Sequence, residues 1–482
     1  MPLTRRQFLC RSFGAFGAAS LAMERFGLLN AFAQSADYRA LVCIFLFGGN
    51  DSANVVIPYD DYGSYAAARQ PSGIAIPQSS LLQISPTSLA SRFGFHPSLS
   101  GLYALWNQGK LAVVCNVGPL VEPTSRNTYI NGTARLPVNL FSHSDQQNEW
   151  QTSIADSQRI PPGSGGGGWG GRIADKAGFL NGTTFPPLTS VAGTPVFVAG
   201  NVEQPLAIAP APTTLNTALR LDGFPNPPDN DPRYLAMAQI LQEDQMLTLV
   251  RGASRITTEG LAVEKAIRLA GDPLVPPFPL SPRTSLGNQL EQVAKMISYC
   301  TSASGKAALG MSRQIFFCSL GGFDTHNAQV TSAASPTTGT HASLLAQVSD
   351  AMKAFYDATV NLGVASQVTT FTLSDFARTF VPNGNLGTDH AWGSHHFVAG
   401  GSVIGGDFYG VPGSNGTVFP TLAANGPDDT DQGGTARGRW IPTTAVDQYG
   451  AALASWFGVS NADLAAVFPN IGSFGTTNLG FV

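Results

Sequence analysis

The sequence predicts an α/β protein: a mostly parallel sheet with helices on both faces, rich in loops. Three observations carry that expectation. Continuous apolar runs ended by glycine or a polar turn recur along the chain, as "ALVCIFLF", "KLAVVCNVG", "RQIFFCSLGG" and "QVTTFTLSD", the form taken by strands covered on both faces. Amphipathic helical patterns lie between several of them, which argues for crossover connections and a parallel sheet. The 53 glycines and 33 prolines among 482 residues, only 12% of them charged, leave room for a large core and many irregular connections.

The elements follow in chain order. Residues 1–33 read as an export signal: paired Arg5 and Arg6 precede Phe8 and Leu9, a weakly apolar stretch follows, and "AFAQ" offers small residues at a cleavage site after Ala33. That pattern resembles a twin-arginine leader, so the twin-arginine translocation machinery is an expected partner and the mature chain is expected to be periplasmic or extracellular. Loss of the leader moves the formal charge from -4 to about -7, which gives no electrostatic footprint for nucleic acid. No later stretch is apolar for long enough to span a bilayer. Residues 34–482 then read as one domain with insertions, because no charge block, repeat or long linker divides them. Four cysteines remain after the leader, Cys43, Cys115, Cys300 and Cys318, in apolar surroundings where disulfides are permitted but not compelled.

The first strand, "ALVCIFLF", runs into "GGNDSAN" and places Asp51 at its end. The "GSGGGGWGGR" run from Gly163 to Arg172 lacks the strand and lysine of a nucleotide loop and is expected to be a flexible loop or lid. "LEQVAKMISYC" is expected to be helical, and so is "THASLLAQVSDAMKAFYDATVNLG", where Leu344, Val348, Met352 and Phe355 form one stripe before Gly363. Asp324 and Asp375 follow later strands as Asp51 follows the first, and ligands bind at the carboxyl edge of such sheets. Three carboxylates brought together need cations, and imidazoles nearby suit zinc, manganese or a similar divalent ion. Four of the seven histidines lie in or beside such loops: His326 in "GGFDTH", and His390, His395 and His396 in "GTDHAWGSHH", next to Asp389. His96 and His341 read as capping or packing residues.

The ordered set "FLFGGNDSAN", "FSHSDQQNEW", "GGFDTHNAQ", "LSDFARTF", "GTDHAWGSHHFVAGG" and "IPTTAVDQYGAALASWFGVSNADLAAVFPN" resembles an exported bacterial family catalogued as domain of unknown function 1501. That family looks like a remote branch of the alkaline phosphatase and sulfatase superfamily. The resemblance implies an alkaline-phosphatase-like fold holding two divalent ions, zinc or manganese. Asp51, Asp389 and His390 would bind one; Asp324 and His326, with His395 or His396, would bind the other. Asp375 would ligate an ion or orient a ligand. The nucleophile is expected at a helix start after the second strand, with Ser142 ranked ahead of Thr124, Ser125, Ser144 and Ser52. Arg378 would brace an anionic substrate or pair with Asp375. The function implied is metal-dependent hydrolysis of a small anionic phosphate, phosphonate or sulfate ester. The alternative is a non-catalytic exported binding or assembly protein of the cell envelope or an extracellular polymer system.

Overall fold

A computed structural model describes residues 38–155, 167–183, 185–221, 223–243, 245–275, 278 and 283–482. Arg5, Arg6, Cys10, the cleavage site after Ala33 and Gly163–Gly166 lie outside the described residues.

Twelve strands are named in chain order: β1 (Arg39–Phe47), β2 (Val56–Pro58), β3 (Leu82–Ile84), β4 (Phe93–Phe95), β5 (Leu111–Gly118), β6 (Leu188–Ser190), β7 (Leu206–Ala207), β8 (Arg313–Gly321), β9 (Val368–Ser374), β10 (Ser394–Gly400), β11 (Phe408–Tyr409) and β12 (Thr444–Ala445). Nine of them form one mixed sheet in the order β11-β5-β10-β9-β1-β8-β6-β7, with β12 also on β5. β1 pairs parallel with β8 and β9, and the parallel run continues through β6 to β7. β10 is antiparallel to both β9 and β5. The reversal matters for position: the start of β10 and the ends of β1, β8, β9 and β5 share one edge of the sheet. A short antiparallel sheet of β2, β4 and β3 forms separately.

Alternation along β1 explains why its whole sequence is apolar. Val42, Ile44 and Leu46 face a core with Val293 and Ile297 of the Ser285–Thr301 helix and Leu345, Val348 and Met352 of the Thr340–Asn361 helix. Leu41, Cys43 and Phe45 face the opposite core, with Ile173 of the Trp169–Ala177 helix and Tyr449 and Leu453 of the Val446–Phe457 helix. Each face is therefore covered by helices, and a polar residue at any central β1 position would lose water on either side. Cys43, Cys115, Cys300 and Cys318 are all buried free thiols.

One expectation fails within this layer. Gly167–Arg172 is not a lid: helix begins at Trp169, whose indole N–H donates to Trp150 O at 2.9 Å. A side chain at Gly170 would collide with the Phe197 ring and one at Gly171 with the Ala199 backbone, so these two glycines permit close packing rather than loosen the chain.

No helix among the described residues is long and apolar enough to cross a membrane.

Candidate metal centre

Two glycines open the sheet edge. Gly48, at φ +116°, has Asp324 N where a side chain would stand, and Gly49, at φ +84°, has the Phe376 ring there. Only glycine lets the loop after β1 adopt this backbone while the loops after β8 and β9 close over it.

Four side chains converge at that edge. One ligand atom from each of His143, Asp324, His326 and His390 lies within 4.8 Å of the others. His143 is the first residue of the His143–Thr152 helix, Asp324 and His326 come from the loop after β8, and His390 precedes β10 and bridges to Arg378. Asp324 Oδ1 is the focus, 3.4 Å from His143 Nε2, 3.2 Å from His326 Nε2 and 3.7 Å from His390 Nε2. The Asp324 side chain is 49% exposed, so the group is open to solvent on that side.

The partners behind each ring assign the tautomers. His143 Nδ1 donates to Asp375 Oδ2 at 2.7 Å, His326 Nδ1 to Asp389 Oδ1 at 3.0 Å, and His390 Nδ1 to Phe141 O at 2.6 Å. With all three Nδ1 protons directed outward, the three Nε2 atoms present lone pairs inward. His326 Nε2 and His390 Nε2 are 2.8 Å apart, and His143 Nε2 is buried without a hydrogen-bond partner. Facing lone pairs repel, and a shared proton or a cation relieves that repulsion.

Electrostatics follow from the same contacts. The hydrogen bond that His143 donates to Asp375 raises the His143 pKa above the ordinary imidazole value, while burial lowers that of His390. Burial pushes Asp324 up, but the Arg378 hydrogen bond and charge, with His143 and His326, outweigh it and hold the carboxyl below its usual range. Asp389 is likewise depressed, with burial opposed by hydrogen bonds from Asn383 and His326 and by the charge of Arg437.

Asp324, His326 and His390 thus come together as ligand-type atoms. Asp375 and Asp389 stand one hydrogen bond behind, where they fix the rings. Arg378 meets Asp324 rather than Asp375, and its buried guanidinium is spent on Gly48 O, Gly49 O and Thr388 O as well. Four of its five N–H donors are therefore engaged by the protein itself.

Three predicted ligands lie apart from the cluster. Asp51 is fully buried; Arg69 binds both its oxygens, at 2.6 and 2.8 Å, and Gln329 Nε2 donates to it at 2.6 Å. Burial raises its pKa, yet the Arg69 charge and hydrogen bond prevail and hold it low. His395 and His396 sit within β10 and turn to opposite sides of the sheet. His395 stacks on Phe419 and accepts from Asn116 N, whereas His396 packs on Trp150 and Tyr449. Burial pushes both down to about 3, so they are neutral core histidines.

Ser142 caps the start of the His143 helix with extended backbone, and its hydroxyl donates to Asp145 Oδ2 at 2.6 Å. Ser144 pairs with that hydroxyl, Thr124 donates to Glu122 O, Ser125 caps the Arg126–Ile130 helix, and Ser52 is buried in a turn after Asp51. His96 caps a turn through Ser98 N, and His341 bonds Asn50 at 2.9 Å, the packing roles expected of them.

Sequence reasoning missed His143 as a member of the group. Its only signal was position, in "FSHSD" at the start of a polar helix. Phe376, which walls the site with its ring 4.8 Å from His143 and 4.6 Å from His390, was also missed.

Three imidazoles and one carboxylate form a donor set suited to zinc, manganese or iron as a divalent ion. The set is single: it is the cluster of this kind among the described residues. The fold and site therefore define an α/β protein with a His/Asp cluster at the carboxyl edge of its sheet. Residues 287–419 match the family described as "Protein of unknown function (DUF1501)". That match bears out the resemblance to domain of unknown function 1501 over a segment containing Asp324, His326 and His390 but not His143. Comparison with curated proteins found no match.

Proposed function

We propose that this chain is an exported, metal-dependent hydrolase of phosphate, phosphonate or sulfate esters on an alkaline-phosphatase-like scaffold, working with one divalent ion rather than two. The observation that carries the reading is the convergence of three Nε2 lone pairs on Asp324 Oδ1 while every Nδ1 proton is held from behind. His143, Asp324, His326 and His390 would hold a divalent ion there, which would supply Lewis acidity toward an oxygen of a bound ester. The chain's own groups do the rest. Asp375 and Asp389 keep the rings in the ligating tautomer. Arg437 and Arg439, each 30% exposed and bonded to Asp389 and to His390 O, place positive charge beside an anionic substrate. Ser142, one residue before His143, is the proposed nucleophile, with Asp145 positioned to take its proton. Export through the twin-arginine machinery and release after Ala33 belong to the same proposal.

Metal analysis of the mature protein, joined to a panel of aryl phosphate, phosphonate and sulfate esters, tests this. One ion per chain is expected, lost with turnover in His326→Ala; Ser142→Ala should keep the ion and lose turnover. A chain without an ion overturns the reading. Because the Ser142 hydroxyl is engaged by Asp145 rather than by the cluster, a binding or assembly role is the second reading, and a filled site inert across all three ester classes would favour it.

A further inference from the structure

Beneath the cluster lies a buried polar hub that none of the four converging side chains belongs to. Gln329 is wholly buried. Its Nε2 donates to Asp51 Oδ2 at 2.6 Å, and this fixes the amide, since only the nitrogen can face a carboxylate. Oε1 is thereby turned toward two hydroxyls, accepting from Thr388 Oγ1 at 2.8 Å and Thr325 Oγ1 at 3.1 Å. Thr325 lies between Asp324 and His326; Thr388 immediately precedes Asp389 and His390. One amide oxygen therefore holds both loops that bring three of the four converging side chains.

The other end of the hub is equally fixed. Arg69 binds Asp51 through both oxygens and donates to Thr379 O at 3.1 Å. Thr379 in turn exchanges bonds with Asp389: its N–H donates to Asp389 O at 2.9 Å, and its hydroxyl accepts from Asp389 N at 3.1 Å. Direct pairing of the loops, Thr388 N to Thr325 O at 3.1 Å and Gln329 N to Leu386 O at 2.9 Å, completes the frame.

We infer that Gln329, oriented by the Asp51–Arg69 ion pair, is a positioning residue that sets the spacing of the two ligand loops and hence the affinity and geometry of the metal centre. The inference rests on the metal reading above. It also gives Asp51 a role: the acid expected to hold an ion instead aims the amide that holds the loops. A hydroxyl-to-amide bond to a group of this kind acts on metal affinity through ligand placement, an effect of about ten- to a hundredfold where supporting partners are removed.

The experiment uses the full chain and cobalt(II) as probe, read by its visible absorption spectrum and by chelator competition. Thr388→Val removes one donor without changing shape, Thr388→Ser restores it, and Gln329→Met removes the amide at similar volume. Thr388→Val and Gln329→Met should weaken cobalt binding about tenfold or more and shift the ligand-field bands, whereas Thr388→Ser should match the wild type. A purely packing role would lower thermal stability and leave the spectrum and affinity of the folded protein unchanged, and that result would overturn the inference. Wild-type protein that binds no cobalt would overturn the metal reading and this inference together; tight wild-type binding with unaltered variants would overturn this inference alone. If Gln329→Met fails to fold, the Val and Ser pair at Thr388 carries the decision.

Discussion

Replacing Asp375 by asparagine separates the ring-orienting role from the ligand role. Asp375 is fully buried, and its Oδ2 accepts from His143 Nδ1 at 2.7 Å and Gln147 Nε2 at 2.8 Å. An asparagine oxygen in the same place keeps both bonds and removes the charge. Charge-assisted hydrogen bonds contribute about 1.5–3 kcal/mol against about 0.5–1.5 kcal/mol for neutral ones, so roughly 1 to 1.5 kcal/mol of support for His143 is lost. That corresponds to about tenfold weaker metal binding. The pH dependence has a definite sign. Asp375 raises the His143 pKa, so in the wild type a proton competes with the metal for Nε2 from a higher pH than in the variant. The affinity deficit of Asp375→Asn should be largest at pH 8 and smaller at pH 6. Zinc dissociation constants by chelator competition at the two pH values measure this, with circular dichroism as the folding control. Equal affinities at pH 8 in a folded variant would refute the argument that the carboxylate supports the ring as a ligand.

Asp51→Ala leaves the Arg69 guanidinium buried without its counter-ion and should cost about 3–5 kcal/mol in denaturant unfolding, while the folded fraction still takes one ion at saturating metal. Loss of the ion with unchanged stability would return Asp51 to the ligand set. Asp447 has its carboxyl pushed up to about 7 by burial, against hydrogen bonds from Ser153 and Asn470 N. The folded state therefore holds a proton that the unfolded chain has released, and stability should fall as pH rises from about 4 to about 7, by at most about 4 kcal/mol. Asp447→Asn should flatten that slope in unfolding curves; an unchanged slope would assign it elsewhere.

The sheet was legible because its strands are buried on both faces, and that burial leaves continuous apolar runs that no loop resembles. The long helix was equally plain, since Leu344, Val348, Met352 and Phe355 keep helical spacing and all are buried. The antiparallel β10 was not legible: "SHHFVAG" carries two histidines, and their burial against Phe419 on one side and Trp150 on the other is a property of neighbours distant in sequence. The glycine run misled for a related reason. Glycine permits both loose loops and tight approach, and the Phe197 ring against Gly170 decides between them.

The candidate site was legible to the level of the edge and no further. Asp51 and Asp324 both follow a strand through a glycine pair, and nothing local separates them. What separates them is the arginine that reaches each. Arg69 closes an alanine-rich helix, Tyr62–Arg69, that carries it back under the edge, and there it occupies both oxygens of Asp51. Arg378 takes Oδ1 of Asp324 only, and among the described residues no hydrogen bond reaches Oδ2. Two of the positive charges that the crowded carboxylates require are therefore supplied by the chain itself. Repulsion among acids at a sheet edge calls for cations, but buried guanidinium groups answer that call as well as metal ions do. The number of ions such an edge can hold depends on acids left over after the arginines have paired, and on whether imidazole lone pairs face what remains. Asp324 keeps its second oxygen clear of Arg378, and with the three imidazoles beside it the described residues offer one four-residue cluster where two ions were expected.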